Sequence, residues 1–415
     1  RAAEPAFRRT RLLLTALASV LSGAVLFVAA PGASLLLTRT PAYADLFRLA
    51  ALLVAASIAA GVLDGWMQGR RAFGRLAAVR LLAKIVSVGA GVGLVLAGFG
   101  VAAALGSLII YQVLFIACIV PRFAHGLKAP GRYPTKEITR FAAPIAASNL
   151  AGFASGTAES LLIVALLATP DLGMYNVALT VGTFLAVLLV GPLMATVLPA
   201  SSRVASLGRG QGGVFSVAGR YATLLVLPAS VGIVVLARPL VLLVGGPAYT
   251  AAVLPAALIT GMTLPVALSS VLSAQLQAEG KTGRVFLATA LPIPVALGLG
   301  LLLMPALGLL GAALARVALY TIALLATGIL ARGIVPMRYD WGLLGRAAIA
   351  SAAFALPLAI LEAWSDSVWL LPVYALLGLT IYVSVLRVTG TINGDDRRLA
   401  QELLPRRLAW LAAIL

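Results

Sequence analysis

The sequence predicts an all-α polytopic membrane protein made of two pseudo-symmetric helical lobes and a C-terminal helix pair. Three observations carry that prediction. The chain is 61% hydrophobic and 11% charged over 415 residues, with a mean hydropathy of +1.06. Its apolar residues come in runs of roughly 20, the length at which a helix crosses the hydrocarbon core of a bilayer. The stretch from Gln68 to Tyr111 also recurs, Gln68 returning at Gln277 after an offset of 209.

The repeat holds without a gap. At the same offset Gly74 and Arg75 return as Gly283 and Arg284, Gly89 and Gly91 as Gly298 and Gly300, Ala103 to Leu105 as Ala312 to Leu314, and Tyr111 as Tyr320. Arg11 and Gly23 likewise return as Arg220 and Gly232. Each copy reads as a polar turn, an apolar run, a glycine-rich break and a second apolar run. This is the signature of a parallel internal repeat, in which two transporter halves are related by an axis along the membrane normal.

Taken in order, the apolar spans fall at about 12–30, 46–66, 76–97, 100–121, 141–168, 173–199, 221–244, 251–276, 284–304, 308–331, 346–362 and 367–386. That makes twelve transmembrane helices. All Lys and Arg except Arg39, Arg48, Arg238, Lys84 and Arg316 lie in 1–11 or in every second connection after it, namely 67–80, 121–140, 200–220, 279–284, 332–346 and 387–407. Short basic loops remain in the cytoplasm, so the first segment and the C-terminus are expected there. The opposite connections include acidic ones, Thr169-Pro170-Asp171 and Glu362 to Asp366. The net charge of +18 is therefore an orientation signal with a contact to anionic membrane lipids, and no nucleic-acid footprint.

Composition also excludes chemistry. One cysteine (Cys118) and one histidine (His125) leave no disulfide framework and no Cys- or His-based metal site. No cofactor motif is present, and no signal-peptide pattern opens the chain.

The offset matches spans one to four with spans seven to ten. Spans five and six have no counterpart ahead of the first copy. Arg140 precedes Gln277 by 137 positions, and the same distance ahead of Gln68 corresponds to about 70 residues before Arg1. The expected parent has fourteen helices, and a chain that begins with Arg reads as N-terminally truncated. The expected division is 1–121 for an N-lobe with four of six helices, 122–140 for a cytoplasmic inter-lobe linker and 141–332 for a six-helix C-lobe. The extra helix pair occupies 333–388, and 389–415 is a cytoplasmic tail whose amphipathic part, Arg397 to Leu415, lies along the membrane surface.

The order of several short pieces resembles the multidrug/oligosaccharidyl-lipid/polysaccharide exporter superfamily, and within it the Wzx-like flippases of polysaccharide biosynthesis. These pieces are Glu159 to Ile163 followed by Gly173 to Ala178, Pro199 to Ser202, Gln277 to Lys281, Pro305 to Ala313, and Asp395-Asp396 with Leu403-Leu404-Pro405. The departures are the two missing helices and a Glu where the family more often has Asp. The resemblance implies a V-shaped, non-enzymatic transporter of the cell membrane. It would flip polyprenyl-pyrophosphate-linked oligosaccharide to the outer leaflet by alternating access. It also implies H⁺ or Na⁺ as a coupling ion and other polysaccharide-assembly membrane proteins as partners.

Ionisable residues within the spans are the candidate site, because a charge in lipid costs about 2.5–3.5 kcal/mol on insertion scales and must face protein or water. Arg316, eight residues into span ten, either binds the anionic pyrophosphate or forms a structural ion pair. Lys84 and Arg80 share a helix face with Ser87 and Gly91; they either draw a phosphate into the cavity or snorkel to the interface. Glu159 follows a run of small and polar residues that includes Ser148, Asn149, Gly152, Ser155 and Gly156. Such a face either packs against another helix or lines a wet cavity. Glu159 is then a carrier of a coupling proton or Na⁺, or a salt-bridge partner of Arg316, with Asn149 beside it. Asp64, near Trp66 at a helix end, is expected at the interface. Pro144, Pro192, Pro228, Pro255, Pro265, Pro292 and Pro294 are expected to kink the second half.

Two rivals share the superfamily, a peptidoglycan lipid II flippase and a cation-coupled multidrug antiporter. The antiporter would carry more membrane carboxylates and fewer membrane cations. A membrane glycosyltransferase would need a carboxylate site and a larger extramembrane loop than these short connections supply.

Overall fold

The computed structural model describes residues 3–38, 40–70, 72–124, 135–206, 212–364 and 368–391. Among the described residues twelve helices are long and apolar enough to cross a membrane. They are α1 (Leu14–Leu35), α2 (Pro41–Gly69), α3 (Gly74–Leu96), α4 (Val101–Pro121), α5 (Thr139–Leu166) and α6 (Pro170–Ala205). Then come α7 (Gly213–Val235), α8 (Pro247–Ala278), α9 (Thr282–Leu307), α10 (Leu309–Ala331), α11 (Trp341–Trp364) and α12 (Leu371–Val388). They correspond one for one to the apolar runs, and their outward faces carry bare aliphatic side chains such as Val28, Leu96 and Leu302. The chain is a multi-pass membrane protein, its backbone polar groups satisfied within helices as a bilayer demands. Most of the expected linker (125–134) and the amphipathic tail lie outside the described residues.

The chain divides into two compact units, Arg1–Ile138 and Thr139–Leu415. In the first, α1 packs on α2, α3 on α4, and α4 on α2. Its core gathers Leu63, Met67, Leu76, Phe115 and Ile119, and Gln112 Nε2 donates to Ser57 Oγ at 3.0 Å. Pro41 opens the turn into α2, where its missing N–H costs nothing. The α3–α4 turn is made by Gly98 (φ +90°) and Gly100 (φ +52°), backbone conformations that a Cβ disfavours.

The second unit repeats this pattern internally. There α7 packs on α8, α9 on α10, and α10 on α8. Shifted by 209, Gly74–Leu96 becomes 283–305, against the observed Thr282–Leu307, and Val101–Pro121 becomes 310–330, against Leu309–Ala331. The glycine pair in the repeat has a split role. A Cβ on Gly91 would sit 2.8 Å from Ser107 Cβ of α4, whereas one on Gly89 would meet nothing. Gly91 is where α3 and α4 close on each other, and its mate Gly300 faces Ala315 of α10.

Where the copies differ, proline accounts for it. Pro255, Pro265, Pro292 and Pro294 occupy positions that hold Leu46, Ala56, Ala83 and Ile85 in the first copy. The first copy has an uninterrupted helix over Ala44–Gly69 and another over Phe73–Leu96. In the second, α8 breaks at Met262 ahead of Pro265, and α9 breaks at Leu291 ahead of Pro292. The kinks expected at Pro144 and Pro228 do not interrupt their helices. Ahead of Pro192, α6 widens into a π-helical turn over Ala186–Val190, which accommodates the carbonyl that proline leaves without a donor.

The last two helices pack together, α11 lying along α7. Phe354 and Tyr382 meet edge to face at 6.2 Å, and Tyr382 Oη donates to the Leu224 carbonyl at 3.0 Å. Gly378 lets α12 approach Leu358 and Phe354 of α11.

Candidate functional site

Small residues build the site by what they leave open. Asn149, Gly152 and Gly156 recur at helical spacing along α5 and, with Ser148 and Ser155, line a cavity of 630 Å³ within the second unit. Among the described residues no other helix packs its backbone closely along α5. Its contacts are made by longer side chains, with Leu162 reaching Gly300 and Ile163 buried beside Tyr175 and Met304. The opposite walls come from Met194 and Leu198 of α6, Ser273 and Gln277 of α8, Thr289 and Ile293 of α9, and Arg316 and Tyr320 of α10. Of the two sequence alternatives for the α5 face, the cavity is the one observed.

Arg316 closes one part of this cavity. Its guanidinium grips Glu159 with both ends of its fork, Nε donating to Oε1 at 3.2 Å and Nη2 donating to Oε2. Tyr175 Oη, from α6, donates to the same Oε1 at 2.5 Å. The guanidinium also lies 5.9 Å from the Tyr320 ring centroid. Glu159 is 8% exposed and the Arg316 side chain 15%, so neither charge could persist there alone. Two-point pairing to a planar carboxylate satisfies both, and the tyrosine fills a remaining lone pair.

The first unit holds its cations differently. Arg80 Nη2 pairs with Asp64 Oδ1, and Gln68 Nε2 donates to Asp64 Oδ2 at 2.6 Å. Asp64, in the last two turns of α2, is therefore the counter-ion of Arg80, a pairing the sequence reading did not anticipate. Lys84 stands apart from this cluster, its Nζ 5.7 Å from the Tyr111 ring centroid. Arg80 and Lys84 share a helix face as expected, but Arg80 is already neutralised. Arg316 and Asn149 line one cavity, and Glu159 is held just behind it by its pair with Arg316. Lys84 and Arg80 belong to the other unit.

Sequence reasoning missed Tyr175 as a partner of Glu159, although a signal existed. The α5–α6 turn centres near Leu167, and Glu159 and Tyr175 are eight positions either side of it. In an antiparallel helix pair, residues equidistant from the turn lie level with each other. Asp64 and Arg80 bracket the α2–α3 turn in the same way.

Known proteins agree with this architecture. Over 93% of the chain the fold superposes on 84% of a lipid II flippase, MurJ, solved in an inward closed conformation, with a TM-score of 0.67 at 13% identity. A curated relative, a probable low-salt glycan biosynthesis flippase of Haloferax volcanii, is 23% identical over 302 residues, or 72% of this chain. The match spans 63% of that relative, less than two thirds of its length. Residues 7–254, more than half of the chain, match the family model for polysaccharide biosynthesis proteins, and the chain belongs to that family.

Proposed function

We propose that the protein moves a lipid-linked oligosaccharide, carried on polyprenyl pyrophosphate, from the cytoplasmic to the outer leaflet by alternating access. The C-terminus lies in the cytoplasm. The observation that carries the reading is Arg316, a cation eight residues into α10 that lines the cavity and has Glu159 as its counter-ion. A pyrophosphate is a stronger acceptor for a guanidinium fork than one carboxylate, so the substrate displaces Glu159 and takes its place. Glu159, once displaced, is the group that carries a coupling proton or Na⁺; Asn149, ten residues away on the same continuous helix, stands about 15 Å along its axis and is too far to share that ion. Lys84, cationic and without a carboxylate partner among the described residues, attracts phosphate in the first unit, with Arg80 behind it. Family membership and the likeness to a probable glycan biosynthesis flippase of Haloferax volcanii support this reading over drug antiport. The likeness to the lipid II flippase supports the fold alone.

Displacement makes a prediction that a fixed salt bridge does not. In nanodiscs, binding of a polyprenyl-pyrophosphate trisaccharide should tighten in Glu159→Gln and weaken at least ~10-fold in Arg316→Ala, the worth of one charge-assisted contact. Equal affinity in wild type and both variants would refute the assignment.

A further inference from the structure

The cavity wall separates into two kinds of polar group. Ser148, Ser269, Ser270, Thr289 and Thr327 each donate to a carbonyl one turn back in their own helix, so their hydrogens are committed. Asn149 and Ser155 on α5, and Ser273 and Gln277 on α8, also line the cavity, and none bonds another described residue. Ser155 is among the buried residues of the chain. Buried or half-buried amides and hydroxyls ordinarily find partners. Ser155 is buried and Ser273 and Gln277 are half-buried, so three such groups left open toward one cavity, with the exposed Asn149 also lining it, mark a place where a ligand supplies them.

The internal repeat gives an independent reading of the same wall. At the offset of 209, Ser273, Gln277 and Thr289 fall on Asp64, Gln68 and Arg80. In the first unit those three satisfy one another, Asp64 taking both Arg80 and Gln68. In the second unit the acid has become serine and the base threonine, while the glutamine is kept and loses its carboxylate partner. The positions that close the first unit upon itself are open in the second.

We propose that the cavity between α5 and α8 binds the uncharged, polyhydroxylated group attached to the phosphate, with Asn149, Ser155, Ser273 and Gln277 as its ligands. The inference rests on the flippase reading and adds the part of the substrate that this cavity reads. Carboxamides and hydroxyls both donate and accept, as sugar hydroxyls and acetamido groups do, whereas a guanidinium only donates. Among the described residues the lining holds no carboxylate, Glu159 lying behind Arg316 and engaged by it and by Tyr175, so the open ligands are neutral. Phosphate is left to Arg316. The cavity volume of 630 Å³ lies within the range of about 300–1,000 Å³ usual for small-molecule sites.

The test compares two lipids on the full chain in nanodiscs, a polyprenyl pyrophosphate carrying a neutral trisaccharide and the same lipid without sugar. One variant is Asn149→Ala with Gln277→Ala. A second, Ser273→Asp with Thr289→Arg, installs the closed network of the first unit and adds no net charge. Wild type should prefer the sugar-bearing lipid, and both variants should lose at least ~10-fold of that affinity while binding the sugarless lipid within about twofold of wild type. Equal losses for both lipids, or no loss for either, would overturn the inference. Wild type that binds both lipids equally and through Arg316 also overturns it while the flippase reading stands. Binding of neither lipid by wild type removes both.

Discussion

At the scale of the residue, the second unit turns on one buried charge pair. Removing one partner of such a pair leaves the other charge uncompensated, which typically costs about 3–5 kcal/mol, whereas replacing both with apolar residues of similar size is close to neutral. We therefore expect Glu159→Met to unfold well below wild type in a detergent thermal melt, and Glu159→Met with Arg316→Met to recover most of the loss. A double variant as unstable as the single one would show that the pair does not act as a unit. Tyr175→Phe should cost about 1–3 kcal/mol, because it strips one donor from a buried carboxylate. Both charged members were legible in the chain, since an Arg and a Glu inside apolar runs stand out. Their partner Tyr175 was not, because a tyrosine in an apolar span is ordinary until the turn between α5 and α6 is located. The pairing of Asp64 was missed for the same reason, its partner Arg80 lying across a turn.

At the scale of the element, hydropathy and the repeat made the helices readable, and all twelve spans lie where the apolar runs predict. Less readable was what separates the two copies. Kinks were expected alike at Pro144, Pro228, Pro265 and Pro292, yet the helix breaks at Met262 and Leu291 while it continues through Pro144 and Pro228. A proline ends a helix only where neighbours cannot satisfy the freed carbonyl. Repeated glycines were ambiguous in the same way. Gly91→Ala forces a Cβ to 2.8 Å from Ser107 Cβ and should destabilise by about 1–3 kcal/mol. Gly89→Ala meets no neighbour and should be neutral or stabilise by up to about 1 kcal/mol. Melting temperatures of the two variants decide this, and a loss at Gly89 equal to that at Gly91 would contradict the α3–α4 approach.

At the scale of the whole molecule, one helical pattern is used twice and then diverges chemically. The first copy neutralises its Asp64 and Arg80 internally; the second removes that pair, opens a cavity and places Arg316 against Glu159 from α5. The first copy's Ser107 stands at the position of Arg316, so the cation is a property of the second copy alone. Length, class and repeat were visible in the residues, but the cavity was not, because its walls come from α5, α6, α8, α9 and α10, brought together only by packing. The measurement that bears most directly on the account is transport itself. The protein would be placed in liposomes with a fluorescent polyprenyl-pyrophosphate oligosaccharide, and loss of protection from an outside reagent followed for wild type and Arg316→Ala. The account predicts flipping in wild type and at least ~10-fold slower flipping in the variant at equal folded amount, the loss of one transition-relevant contact. Equal rates in both, or proton-driven efflux of cationic dyes with no movement of the glycolipid, would contradict it.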